Sequence, residues 1–293
     1  MSEDAEARVR ALACWRGEIE VAPLPGGLSN ASFRVRDAEG VWVARIGRDF
    51  PFHHVFRDRE AAASRAAQAA GFAPSVRYSG DGALVSAFVP GRTLDAEAVR
   101  ADLERVAALV AAVHAEMPKR VRGPAATFWV FHVVRDYLDT LRAGKHPFAG
   151  EAPRLAPLVD ELEAAQVPTR LVFGHHDLLP ANLIDDGARL WLIDWEYAGF
   201  GTPLFDLANL ADNAGFSRAE ERRLLEVYFG RALDAGLLGA FAAMKVASAL
   251  RETLWAFVSE LHLAAPGADY AAYGRDCLAR FEAALGAYRE GGL

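Results

Sequence analysis

GHHDLLPAN at residues 174–182 and LIDWEYAG at residues 192–199 frame the stretch that decides the reading of this chain. Between Asn182 and Asp194 two apolar runs flank Asp185, Asp186 and Gly187, a strong local signal for a β-hairpin. A hairpin brings its open ends together. Asn182 and Asp194 then offer the oxygen ligands that magnesium prefers, and the pair is expected to share one divalent cation. Asp177 precedes them in a loop where Pro180 opposes helix formation, which sets another carboxylate beside that cation. Metal-holding oxygens plus one unattached carboxylate are what phosphoryl transfer from a nucleotide requires: positioning, charge neutralisation and a group to take the acceptor's proton. Alone, an HHD loop reads as structural; the full constellation carries the chemistry.

The rest of the composition suits a small-molecule partner. The chain has 293 residues, 52% of them apolar, enough for one large domain or a pair of ordinary lobes. Its formal charge of -7 comes from acids interspersed among arginines, which argues against nucleic-acid binding and against a polybasic membrane anchor. A homodimer is left open. Cys14 and Cys277 lack metal-ligand spacing and form no disulfide framework, so a reducing cytoplasm fits. MSEDAEARVR at the start is acidic and helix-like, without the apolar core of a signal peptide. LLGAFAAMKVASAL at 237–250 is interrupted by charge and too short to cross a bilayer, so it reads as a core helix and no membrane insertion is expected.

Residues 19–90 are strand-like, with IEVAPL, ASFRVRD, VWVARI and ALVSAFV showing period-two alternation in several cases. One helical insert, FRDREAAASRAAQAAG, ends on Gly71 as a C-cap. After VPGRT at 89–93 the character changes. Asp95 or Thr93 caps a long alanine-rich helix, AEAVRADLERVAALVAAVHAEM, and further helices are expected at 129–143, 154–166, 218–234, 237–263 and 268–290. The domains expected are therefore 1–90, a nucleotide-covering sheet with one helix, and 91–293, a mostly helical part holding the catalytic loop, the metal site and the acceptor.

The spacing His-x-Asp-x4-Asn, followed by a strand and an Asp, matches a kinase catalytic loop and its metal-binding segment. HHDLLPAN with LIDWEYAGFGTPLFDLAN resembles the catalytic segment of the choline and ethanolamine kinase family, within the aminoglycoside phosphotransferase superfamily. LPGGLSNASFRV resembles that family's nucleotide-covering hairpin, VWVARIG its phosphate-pairing strand and SAFVPGRTL, which contains Phe88, its hinge, so the likeness covers most of 19–210. The resemblance implies an α+β, bilobal, protein-kinase-like fold with ATP and Mg2+ as cofactors. It makes Asp177 the catalytic base, Asn182 and Asp194 the magnesium ligands, and His175 a structural residue shaping the loop. Asp206 would brace the loop backbone, with a helix N-cap as its alternative role.

A kinase-like site wants a cation facing the nucleotide phosphates, usually lysine, and this chain has no lysine before Lys119. Arg45 in VWVARI takes that place, as arginine does in the resembled family, and Glu60 is its expected carboxylate partner. Gly26 and Gly27, followed by Ser29 and Asn30, let backbone amides approach the phosphates closely. Phe88 is expected against the nucleotide.

For the acceptor, aromatic faces and carboxylates suit an ammonium group. Trp195, Glu196 and Tyr197 follow the metal-binding Asp, Phe200 lies nearby, and RETLWAFVSEL adds Glu252, Trp255 and Phe257. LWAFV resembles a segment supplying cage aromatics, while Glu252 stands where the family usually has a second tryptophan, and suits a primary amine or another cationic alcohol equally well. For Trp255, Trp129 and Tyr137 core packing is the alternative. His53, His54, His114 and His132 lack paired metal spacing and read as structural or exposed. The expected activity is phosphotransfer to a choline- or ethanolamine-like alcohol. Rivals are an aminoglycoside, thiamine or homoserine kinase, a non-catalytic nucleotide-binding relative, and a metal-dependent hydrolase, which leaves Arg45 and the glycine turn unexplained.

Overall fold

The computed structural model describes residues 2–25, 30–263 and 269–291. Gly26, Gly27 and Ser29 lie outside the described residues. Helix α1 (Ser2–Ala11) leads into β1 (Glu20–Leu24), β2 (Ala31–Asp37) and β3 (Gly40–Ile46); α2 (Arg57–Ala70) then precedes β4 (Val76–Gly80) and β5 (Ala83–Ala87). The strands form one antiparallel sheet in the order β1-β2-β3-β5-β4. Alternation decides its faces: Phe33, Val35, Ala44, Ile46 and Val85 close on Val9 of α1 as a small core, and Arg45 between two of them points the other way. Helix α2 ends as expected on Gly71, whose φ of 84° is the left-handed cap. The unexpected strand is β4, whose five residues are all half-buried, so it carries no period-two signal.

From β5 the chain crosses over at Phe88, whose N–H donates to Val41 O at 2.9 Å. It then forms β6 (Arg92–Thr93), α3 (Ala96–Ala101), α4 (Leu103–Arg120), α5 (Val130–Ala143) and α6 (Ala152–Ala164). Next come β7 (Val172–Gly174), β8 (Leu183–Asp185), β9 (Leu190–Leu192) and β10 (Gly199–Gly201), followed by α7 (Pro203–Asn213), α8 (Arg218–Phe229), α9 (Ala235–His262) and α10 (Tyr270–Arg289). The architecture is the expected α+β one, a sheet region followed by a mostly helical region. Helix α9, apolar on almost every side, is the axis of the larger core and packs against α5, α6, α7 and α10. Among the described residues no helix is long and apolar enough to cross a membrane.

Two helix expectations are corrected, and one helix is added. The run from Ala96 is two helices, α3 capped by Asp95, which accepts from Ala98 N, and α4 beginning after Asp102, a residue type that favours helix ends over interiors. Helix α8 stops at Phe229 because Gly230 takes a φ of 60°. Helix α7 was not foreseen, although Thr202 caps it and Pro203 opens it. Since Thr202 is the cap, Asp206 is not one; it lies inside the first turn.

A short turn, Pro51–His53, carries the smaller region into the larger one. His53 bonds Tyr137 Oη of α5 at 3.1 Å and Ser259 Oγ of α9 at 2.8 Å, and its ring stacks on Trp255 at 5.0 Å. His54 bonds Asp136 at 2.6 Å. All four of these partners belong to helices of the larger region.

Candidate active site

The loop between β7 and β8 is held from behind by α7. Asp206, 1% exposed, accepts from His175 N at 2.8 Å, His176 N at 2.7 Å and the His114 ring at 2.8 Å. Burial opposes its ionisation, yet His176 and His114 hold the carboxyl well below the ordinary range. One turn on, Asn209 Oδ1 accepts from Leu178 N at 2.7 Å. Asn209 was missed in the sequence, although its spacing three after Asp206 puts both on one helix face.

His175 links the two ends of the site. Its Nε2–H donates to Ile193 O at 2.9 Å, and its Nδ1 accepts from Asp177 N at 3.3 Å, so one neutral ring ties the residue before Asp194 to Asp177. Burial lowers its pKa, in keeping with that neutral state. Trp195 was expected at the substrate. The structure corrects this: it is 2% exposed, donates to Leu192 O at 3.1 Å and packs its ring edge-on against His175, behind the loop.

His176 stacks on Phe128 at 4.2 Å and adopts a φ of 63°. Burial pushes its pKa from 6.5 down to about 4, against the pull of Asp206. A group whose folded pKa lies below its unfolded value contributes stability that is full above pH 6.5 and lost as pH falls towards 4, here on the order of 3 kcal/mol. The thermal midpoint is expected to fall across that window, and less steeply in His176→Gln. An equally steep fall in the variant would refute the attribution.

Hairpin β8–β9 pairs Leu183 with Leu192 and Asp185 with Leu190, and at its open end Ile193 N donates to Asn182 O at 3.0 Å. Asn182 and Asp194 therefore stand at adjacent strand ends. Asn182 Nδ2 donates to Asp177 O at 2.9 Å, which commits the amide nitrogen and leaves its oxygen for a cation. Asp194 has a φ of 67°, a left-handed conformation Asp tolerates better than most residues. An amide oxygen and a carboxylate are hard donors that fit magnesium, with phosphate oxygens and water completing the shell. No cluster of three or more His, Cys, Asp or Glu able to hold a metal occurs among the described residues, so a cation here depends on those additional oxygens.

Arg45 reaches from β3 between two carboxylates, Glu60 of α2 in close contact and Asp194 at 2.5 Å. Burial disfavours Asp194's charge, but Arg45 outweighs it and lowers the pKa. Arg57, one turn before Glu60, was not foreseen; it bridges Glu60 at 2.5 Å and Glu196 at 3.0 Å. Asn30 Nδ2 also donates to Glu196, at 3.2 Å. Glu196, expected at the acceptor, thus stands in a cluster with Arg45, Arg57 and Asn30. Phe88 lies half-buried at the crossover, with Arg34 5.3 Å from its ring centroid.

Asp177 is half-buried, and its pKa stands well above the carboxylate range, chiefly through burial, with Arg251 opposing and Glu252, Asp194 and Glu196 reinforcing. On the far side, Trp255 Nε1 donates to Tyr197 Oη at 2.8 Å, and Tyr273 Oη donates to Glu252 at 2.7 Å. Phe257 turns away, packing on Phe148 at 4.7 Å, and Trp129 donates to Glu163, so neither belongs to this group. Phe200 packs edge-on against Phe173, and Tyr137 is fully buried beneath His53.

The sequence pattern of the phosphotransferase enzyme family (APH) matches residues 20–246. A LicA protein of Haemophilus influenzae is 44% identical over 103 residues, 34% of this chain and 30% of that protein. Choline kinase B1 of Caenorhabditis elegans is 29% identical over 223 residues, 68% of this chain and 58% of that protein. The chain thus spans less than two thirds of the length of these curated relatives. The crystal structure of a choline/ethanolamine kinase family protein from Mesorhizobium loti superposes with a TM-score of 0.75 at 28% identity, covering 97% of this chain and 94% of the other.

Proposed function

The chain belongs to the phosphotransferase enzyme family, and on that premise we propose that it is an ATP- and magnesium-dependent kinase acting on the hydroxyl of a small cationic amino alcohol. The observation carrying this reading is the meeting of Asp177, Asn182 and Asp194 at the mouth of one hairpin, opposite the Arg45–Glu60 pair. Asn182 and Asp194 hold magnesium, which supplies charge neutralisation and orientation for the phosphates. Arg45, kept extended by Glu60, and Asn30 face the nucleotide; Gly26, Gly27 and Ser29 belong to the same turn in sequence, and Phe88 borders the nucleotide at the crossover. Asp177 takes the proton of the attacking hydroxyl. Tyr197, Glu252 and Trp255 border the acceptor. The free thiols Cys14 and Cys277 suit a cytoplasmic setting.

ADP release from Mg-ATP with choline or ethanolamine, together with the phosphorylated product, tests the reading. Asp194→Ala is expected to weaken Mg-ATP binding by ~10–100-fold, since even supporting residues of metal sites are worth that much. Calorimetry with and without magnesium reads this directly, and equal affinities in variant and parent would reject the assignment.

A further inference from the structure

Arg251 precedes Glu252 on α9 and is only 2% exposed, the charged residue among the buried positions of that helix. Its guanidinium is only partly used. Nη1 donates to Glu252 at 2.9 Å, and the group lies 4.5 Å from the centroid of the Tyr197 ring. Nε and Nη2 are buried and have no hydrogen-bond partner among the described residues. Buried donors on a charged group are costly to leave unmet, so an unmet pair calls for an acceptor that arrives from outside the chain. The edge formed by Nε and Nη2 is the one that presents parallel N–H bonds to a carboxylate.

The surroundings say where that acceptor sits. Tyr197, under the guanidinium, accepts from Trp255, and Glu252, beside it, accepts from Tyr273, so the arginine lies within the group assigned to the alcohol substrate. An alcohol carrying an ammonium alone would leave the Nε and Nη2 donors of this buried charge unmet, whereas a carboxylate on the same molecule answers them.

Resting on the phosphotransfer reading and narrowing it, we propose that the acceptor is an alcohol bearing both an ammonium and a carboxylate, the carboxylate lying on Nε and Nη2 of Arg251. The ammonium lies against Glu252 and the rings of Tyr197 and Trp255. Arg251 is then the residue that sets specificity, through KM for the acceptor.

The test compares pairs of alcohols differing by a carboxylate, L-serine with ethanolamine and carnitine with choline, under saturating Mg-ATP. In the native protein kcat/KM is expected to favour the carboxylate-bearing member of at least one pair by ~10–100-fold. Arg251→Met collapses that ratio towards one, mainly through KM, and Arg251→Lys, which keeps the charge without the fork, restores only part of it. Mg-ATP calorimetry confirms that both variants are folded. No preference in the native protein, or a ratio unchanged in Arg251→Met, overturns the proposal. A uniform loss of kcat at constant ratio also overturns it, by assigning Arg251 to the transferred phosphate. No turnover of any of the four alcohols by a protein that binds Mg-ATP overturns the phosphotransfer reading itself.

Discussion

Asp177→Ala is expected to lower kcat/KM by ~10²–10⁴-fold while leaving Mg-ATP binding in place, the usual worth of a positioned general base. The variant isolates the carboxylate because the loop is held through the backbone of residue 177. Its N–H donates to His175, and its carbonyl accepts from Leu179 N at 2.8 Å and from Asn182 at 2.9 Å. None of these bonds needs the side chain. Steady-state rates for the acceptor, read beside nucleotide calorimetry, separate the two effects. Turnover equal to that of the parent would remove Asp177 from the chemistry.

Asp206→Ala is expected to destabilise the fold by ~3–5 kcal/mol, the cost of breaking a buried charged network from one side. It leaves two backbone N–H groups and the His114 ring without their acceptor, in a place water does not reach. The sign with pH follows from the depressed pKa. Stability from Asp206 is present above the ordinary carboxylate value of 3.8 and is lost as pH falls through the folded one. Denaturant titration of the variant at neutral pH reads the loss, and a change below ~1 kcal/mol would mean that Asn209 and His175 hold the loop unaided.

The 174–182 loop and the hairpin after it were legible because their signals are local. Turn residues at 185–187, a proline at 180 and polar side chains at fixed offsets need no knowledge of what lies across the molecule. The sheet was legible in β2 and β3, where alternation is strong, and not in β4, where burial is even on both faces. Arg57 was missed because a helix start with Arg57, Asp58 and Arg59 in succession looks solvated. Its bridges to buried Glu60 and to Glu196, far along the chain, turn it inward. Trp195 and Glu196 show the opposite error. Adjacent residues after Asp194 leave the chain in opposite directions, one into the core and one towards Arg57. Sequence proximity to the site could not distinguish them. Arg251 was passed over as part of an apolar helix, and its meaning lies in the two nitrogens that nothing in the described chain satisfies.

The His53 turn bears on how this chain can be re-engineered or recombined. A chimaera cut at the crossover near Phe88 would import a foreign sheet whose inserted turn must still fit against Tyr137, Ser259 and Trp255. Halves borrowed from different relatives are therefore not interchangeable modules. A graft of the sheet region changes the wall behind Trp255, on which His53 stacks.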